Sequence, residues 1–533
     1  MRLRTCFASW VLFLALAIMP APSWGIIAVT DDVELEGFVK TQNILRTPMF
    51  RDAELIMQRN TAQLEGKYYF LRESQAFGRF ATGPLEEATL TLIGRGVYDT
   101  VYDIRHRYNE AFGKDQRLNR QAEYKLREAF VDMVLPPFTL RLGRQQVVWG
   151  ETDNFRALDV INPLDLRWHA NWEPWEDIRI PLWMARAIYD IGKFGPLEES
   201  FIEAVWIPWD FQPNKVAADP RRPWGFIGDG LAAVPNSVMF GDELHNLITT
   251  VRDDKPSKKF KNGQAGVRFK AIWGGIDFSL NYFYGFSADA GFKVRSDLAR
   301  LEGRTLHAVL DRVHPRSHVV GIAANYSEEK YTQSVFRMET TFTTGVPVAL
   351  DPAAAFTRID PDGNLFDTAD RSVVMLAIDR PTWIRPLNDI RTFFLSAQFF
   401  WRRYLDYSRL YRGIPSVRRA HMNGEVAQGR FVSTNTDKID QNEFVITFSA
   451  STSYGPGGLW QPLFVFALDP LSTGAYNKLA MDYLWSNYFV LRFEQNFFWR
   501  VRSHDPGPWA IGDLYGRPRD SRHESVFSAI FQF

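Results

Sequence analysis

Residues 139–150 read TLRLGRQQVVWG, residues 151–178 read ETDNFRALDVINPLDLRWHANWEPWEDI, and residues 179–191 read RIPLWMARAIYDI. Both flanks alternate at the two-residue period of a half-buried strand, with Leu140 and Leu142 set against Arg141, Gly143 and Gln145. The irregular segment between them, about 29 residues, far exceeds the two to five residues of a tight hairpin loop. It also carries Trp168, Trp172 and Trp175. A strand, a large aromatic loop and a returning strand form one hairpin of a larger sheet.

Outward from that hairpin, about 18 segments of roughly 9 to 14 residues alternate apolar or aromatic with polar or small residues, the length and pattern of membrane-crossing strands. In QAGVRFKAIW, Ala265, Val267, Phe269, Ala271 and Trp273 take one face, and Gln264, Gly266, Arg268 and Lys270 the other. The connections alternate in length. Long ones are expected near 47–66, 104–122, 150–178, 211–262, 287–315, 344–370, 406–441 and 500–523. Short ones fall between them, at ATGPLE (81), PPF (136), KFGPLEES (193), Gly274-Gly275, SEEK (327), RPLND (385), GPGG (455) and SN (486). This is the pattern of an all-β transmembrane antiparallel barrel of about 18 strands, 16 being the nearest rival, with long extracellular loops and short periplasmic turns.

The chain ends SVFSAIFQF, with Phe527, Ala529, Phe531 and Phe533 on one face, in the manner of a closing barrel strand with a terminal aromatic. Closure answers a physical demand, because in hydrocarbon every backbone N–H and C=O must be paired internally. A barrel of this size encloses a water-accessible lumen unless something fills it. Arg2 and Arg4 ahead of the apolar run from Phe7 to Met19, with Ser23 and Gly25 spaced like a cleavage site, predict a signal peptide over residues 1–25. The barrel then occupies 26–533. With the first strand starting at Val33, no room is expected for an N-terminal plug, so any constriction comes from the long loops. The stretch from Phe211 to Asn262 and the loop after Trp149 are the candidates.

Composition excludes several classes. The 62 basic and 62 acidic residues cancel, and removing Arg2 and Arg4 leaves 60 against 62, so no basic field for nucleic acid is present. Cys6 is the only cysteine and lies in the signal peptide, which leaves no disulfide, thiolate metal site or cysteine nucleophile. Aromatics make up 15% of the chain, with 17 Trp and 42 Phe, while mean hydropathy is negative. That combination suits a wall with one lipid face and one wet face.

Alternation assigns the charged face to the lumen, since Arg or Lys on the lipid side near mid-membrane costs roughly 2–4 kcal/mol. The lumen and loop candidates are Glu128, Asp132, Arg141, Arg144, Gln145, Trp149, Glu151, Arg186, Glu203, Arg268, Lys270, Asp277, Gln398, Arg402, Arg492 and Glu494. Both signs occur, so strong ion selectivity is not expected. Trp168, Trp172 and Trp175 would share a face of a short helix, either as interfacial anchors or as a constriction. The run DPDGNLFD (360–367) lacks the closing Glu of a calcium loop and reads as a turn. His314 and His318 in HPRSH are spoiled as a helical metal pair by the intervening proline. No catalytic motif stands in its structural context, so no catalytic residue, metal or cofactor is expected.

The run from Leu126 to Leu166, LREAFVDMVLPPFTLRLGRQQVVWGETDNFRALDVINPLDL, resembles the signature of a porin-like outer-membrane protein family of unknown function common in Pseudomonas and other proteobacteria. The likeness rests on Arg141 to Gln145, Trp149-Gly150-Glu151 and Asp159 to Asp165, and is dense only over 126–192. It implies a porin-like barrel in the outer membrane of a Gram-negative cell, working with an envelope system for export or uptake of lipid or hydrophobic compounds. It also implies an ordered loop in which Asp159, Asn162 and Asp165 cap turns. The expected function is an outer-membrane channel or passive transporter for small, moderately hydrophobic or amphipathic molecules, with membrane lipid and cargo as partners. An outer-membrane enzyme of lipase or protease type with rim residues, or a structural or adhesive barrel, are the alternatives.

Overall fold

The computed structural model describes residues 27–47, 52–78, 80–105, 121–153, 155–168, 173–216, 237–240, 243–350, 363–412, 439–471, 474–500 and 523–533. Residues 1–25, Trp172, and Asp360 and Asp362 of the DPDGNLFD turn lie outside the described residues. Eighteen strands form the wall. The first six are β1 (Val33–Arg46), β2 (Glu54–Arg72), β3 (Glu87–Asp99), β4 (Ala122–Leu135), β5 (Phe138–Gln145) and β6 (Leu182–Phe194). Then come β7 (Leu197–Ile207), β8 (Gln264–Trp273), β9 (Ile276–Phe286), β10 (Arg316–Glu328), β11 (Ser334–Leu350) and β12 (Phe366–Thr382). The last six are β13 (Phe393–Tyr404), β14 (Asn442–Ser451), β15 (Trp460–Asp469), β16 (Gly474–Leu484), β17 (Phe489–Arg500) and β18 (Glu524–Gln532).

Each strand pairs antiparallel with its neighbours in sequence, and β18 pairs back onto β1 from Phe38 with Gln532 to Arg46 with Glu524. The sheet is therefore closed, and the strand count is the one the alternation predicts. Phe533 continues the closure, exchanging backbone hydrogen bonds with Gly37 at 2.8 and 2.9 Å.

Register fixes the two faces. Arg268 stands opposite Glu203 on one side and Asn281 on the other, all pointing inward. Leu64, Leu142, Val267, Leu280, Ile322, Leu376 and Phe493 point outward and are exposed. An apolar outer band and a charged inner row share the same strands because successive side chains alternate.

Connections again alternate in length. At one rim, the turn end, Gly274 and Gly275 close β8 onto β9 with φ of 56° and 81°, the positive-φ pair that a two-residue hairpin demands. Two long connections at the loop end are shorter than expected. The chain is already in β2 at Glu54, so 47–66 is mostly strand; β11 and β12 likewise consume much of 344–370. Polar residues such as Arg59 and Thr61, inward-facing and buried, mask the strand character there.

The segments expected as the loops 211–262 and 287–315 are not plain loops. Glu243–Asp254 runs parallel to Thr305–Val313, and with Ser237–Phe240, Gly291–Val294 and Arg300–Glu302 they make a five-stranded sheet at the loop end. Within the stretch 211–262, residues 237–240 and 243–254 thus belong to this sheet, while 217–236 and 241–242 lie outside the described residues.

Candidate functional site

The connection between β5 and β6, residues 146–181, folds into the barrel. Its root is apolar: Val147, Trp149, Leu158 and Ile161 pack on Leu182, Met184, Val205, Ile207, Phe283, Val319 and Ala323 of the inner wall. Two wall glycines make room. A Cβ on Gly266 of β8 would stand 2.6 Å from Trp149 Cη2 and 2.9 Å from Phe283, and one on Gly321 of β10 would meet Leu158 Cδ1. Asn162, fully buried, joins the loop's two ends: its Oδ1 accepts from Val147 N at 2.8 Å and its Nδ2 donates to Ile180 O at 2.9 Å. Asp159 accepts from Arg179 at 2.7 Å, also within the loop.

Beyond its root the loop is held by charge from two arcs of wall. On one arc, Glu339 of β11 accepts from the backbone N–H of Glu151 and, at 3.0 Å, of Leu158. Arg337 pairs with Asp153 at 2.9 Å and with Asp379 at 2.6 Å. Asn325 donates to Glu151 at 2.6 Å, and Phe155 meets Phe400 edge-on at 5.6 Å. On the other arc, Arg59 pairs with Glu173 at 2.6 Å, and Arg95 and Lys40 pair with Asp177 at 2.7 and 3.4 Å. Burial pushes the Asp177 carboxyl upward, but the opposing Lys40 and Arg95 charges outweigh it and hold the group below its ordinary value.

Arg127 adds a further anchor, donating to the carbonyls of Glu176 and, at 3.1 Å, Arg179. It reaches the lumen through a bulge, where Ile93 pairs with Glu128 but Gly94 with Leu126. Strict alternation therefore misses it. Arg59, Arg95, Arg337 and Glu339 have inward parity that the sequence does carry, but nothing local tells that a loop 82 to 188 residues away in the chain will meet them.

Of the residues expected to line the lumen, Glu128, Asp132, Arg141, Gln145, Arg186, Glu203, Arg268, Lys270, Asp277, Gln398, Arg402, Arg492 and Glu494 lie on the inner face. Most are paired along the wall: Asp132 with Arg141 at 2.6 Å, Glu203 with Arg186 at 2.7 Å and Arg268 at 2.5 Å, Lys270 with Asp277 at 2.9 Å. Arg402 meets Glu443 at 3.3 Å, Arg492 meets Asp482 at 2.6 Å, and Glu494 meets Lys478 at 3.2 Å. Glu128 instead holds the loop, accepting from Gln146 at 2.7 Å, and Gln398 donates to Asp153 at 2.5 Å. Trp149 and Glu151 lie in the inward loop.

Arg144 is a correction. It stands opposite Ala129 and Trp183, both outward, and donates to the carbonyls of Leu126 (3.0 Å) and Pro181 (3.3 Å) at the loop-end rim. Its even parity in a strand whose odd residues face the lumen is the reason. The tryptophan helix is also shorter than expected: Trp168 sits in a turn, the helix spans only Trp175–Ile178, and Trp175 donates to Asp153 O at 2.7 Å. His314 donates from Nδ1 to Ser287 O at 2.9 Å while His318 contacts Tyr282 on the outer face, so the two rings face different surroundings.

Because the loop is tied toward β1–β4 and β8–β13, space remains between it and the wall from β12 round to β1. The cavity there measures about 1050 Å³. Phe155, Trp175, Trp383, Phe394, Leu463 and Ile530 give it aromatic and aliphatic surface, and the Lys478–Glu494 and Arg492–Asp482 pairs line its wall.

A family model described as "Protein of unknown function (DUF1302)" matches residues 83–470. No curated protein sequence matches the chain. Among solved structures, OccAB4 of Acinetobacter baumannii is similar at 9% identity and a TM-score of 0.44, over 95% of this chain and 99% of that one. OccAB3 of the same organism is similar at 7% identity and a TM-score of 0.44, over 95% and 100%. Salmonella typhi OmpF, solved in complex with daunomycin, is similar at 8% identity and a TM-score of 0.38, over 95% and 100%.

Proposed function

The chain belongs to the DUF1302 family, and from that premise we propose that this member is an outer-membrane channel whose bore is set by the inward loop 146–181. The observation that carries the reading is the placement of that loop. It is pinned to opposite arcs of the inner wall and leaves a cavity of about 1050 Å³ along the remaining arc. A plug without passage has no need to leave such a space.

The lining suggests the cargo. A cavity near the upper end of the about 300–1,000 Å³ typical of small-molecule sites, lined by both aromatic and aliphatic surface and by ion pairs on its wall, suits a small amphipathic molecule better than a bare ion. Apolar groups desolvate against Trp175, Trp383 and Phe394, while polar groups find paired charges that exchange partners at little cost. The reading includes cleavage of residues 1–25, long loops facing outward, passive movement down a gradient with no chemical step, and delivery to or from an envelope transport system.

Planar bilayers test it. Purified protein is expected to give discrete conductance steps, and a variant lacking 152–176 is expected to insert and conduct severalfold more. A barrel that inserts but passes neither ions nor small solutes overturns the proposal, and equal conductance of the deletion variant removes the loop's role.

A further inference from the structure

The outer rim of the barrel between β7 and β10 carries a cluster that the passage does not use. Trp206 lies on the outward face of β7 at its loop end, opposite Ala265 of β8. Phe260 stacks on it at 6.0 Å and meets Trp209 edge-on at 5.6 Å. All three rings are exposed, Phe260 by 68%. Immediately around Phe260 the sequence is KPSKKFK, residues 255–261.

That segment is built. Asn262 donates to Ser257 O at 2.8 Å and Ser257 Oγ at 3.0 Å, and a 3-10 turn spans Phe260–Asn262. Arg316, the first residue of β10, lies over the Phe286 and Tyr284 rings at 3.7 and 4.9 Å. It donates to Gly263 O at 2.9 Å and Lys261 O at 3.2 Å, tying the segment to the wall. Lys255 is matched by Asp253 at 3.3 Å, and Asp253 also meets Arg312. Lys258, Lys259 and Lys261 are exposed, and among the described residues no ion pair is formed by them or by Arg316.

Exposed aromatics on the lipid-facing side mark the level of the headgroups, and unmatched lysines at that level attract anionic headgroups. We propose that Lys258, Lys259 and Lys261, with the Trp206–Phe260 stack beneath them, bind the phosphate groups of an anionic outer-leaflet lipid. The rings cover the upper acyl region while the ammonium groups reach over it to the phosphates. A wall-fixed segment keeps them there. The proposal rests on the barrel lying in the outer membrane and not on its conducting solutes, so its failure and that of the channel reading are separable.

Native mass spectrometry of the full-length protein in detergent, titrated with diphosphoryl lipid A and with the same lipid stripped of phosphate, tests it. Wild type is expected to retain the diphosphoryl form at least tenfold better than the stripped form. K258Q/K259Q/K261Q is expected to lose at least tenfold in retention, with heat-modifiable gel migration confirming the folded barrel, while K330Q at the turn end loses nothing. Equal retention of the two lipids by wild type overturns the proposal even if the triple variant fails to fold. So does equal retention by wild type and the triple variant, or displacement by millimolar inorganic phosphate, which would mark a site for free anions. Conductance recorded on the same preparations reports on the channel reading independently.

Discussion

Glycine at 266 and 321 shows how much one side chain decides here. Both positions lie on the inner face, where a glycine forgoes packing and weakens a strand; they are kept open because Trp149 and Leu158 of the inward loop occupy the space a Cβ would take. Gly266→Ala meets the rigid edge of Trp149 and is expected to cost about 1–3 kcal/mol of overpacking. Gly321→Ala meets the flexible end of Leu158 and is expected to cost less. Gly266→Leu should displace Trp149 and raise single-channel conductance with the barrel still heat-modifiable; unchanged conductance would show that the loop root tolerates loss of its seat. The sequence exposes these glycines only as polar-face positions. Their meaning depends on a partner more than 100 residues away, which no local pattern encodes, whereas the inward parity of Arg268 and Lys270 is written in the two-residue period itself. Arg144 shows the opposite error, a motif residue whose parity, legible in the strand, assigns it to the outer wall.

Among elements, the loop 146–181 differs from the strands in what holds it. Strands are secured by the ladder and by closure, but the loop's tip depends on a few ion pairs, among them Asp177 held between Lys40 and Arg95. Asp177→Asn removes the charge and leaves two cations facing each other's repulsion, an expected loss of about 1–3 kcal/mol in loop docking. Because the folded carboxyl titrates below its ordinary value of 3.8, its contribution is fully present above that pH and is lost as pH falls through the folded value. Protease resistance of the loop should therefore differ between wild type and D177N at pH 7 and converge as the medium is acidified below about 4; a difference that persists unchanged into strong acid would rule out the carboxylate as its source. The existence of this loop and of the eighteen strands is readable from alternating character and turn residues. The five-stranded sheet at the loop end is not, since its central pairing joins Glu243–Asp254 to Thr305–Val313 in parallel across two strands of the wall, a long-range contact with no signature in either segment alone.

At the scale of the whole molecule, the balance of charge seen in composition recurs inside the passage. Lys40, Arg391, Lys478 and Arg492 line the cavity together with Asp153, Glu173, Asp482 and Glu494, four of each sign. Ion selectivity arises from an unbalanced ring of charge in a narrow pore, and here the two signs are equal in number and most are matched, within the wall as in the bidentate Arg492–Asp482 contact at 2.7 and 2.6 Å, or between wall and loop as in Arg59–Glu173 at 2.6 Å. A K⁺/Cl⁻ permeability ratio near unity is therefore expected from the zero-current potential across a salt gradient. Neutralising Lys478 and Arg492 together leaves Glu494 and Asp482 unopposed on the wall of the cavity, and the ratio should then move severalfold toward cations. A strongly selective wild-type pore, or a double variant that keeps the ratio of the parent, would mean that ions travel by a route other than this cavity.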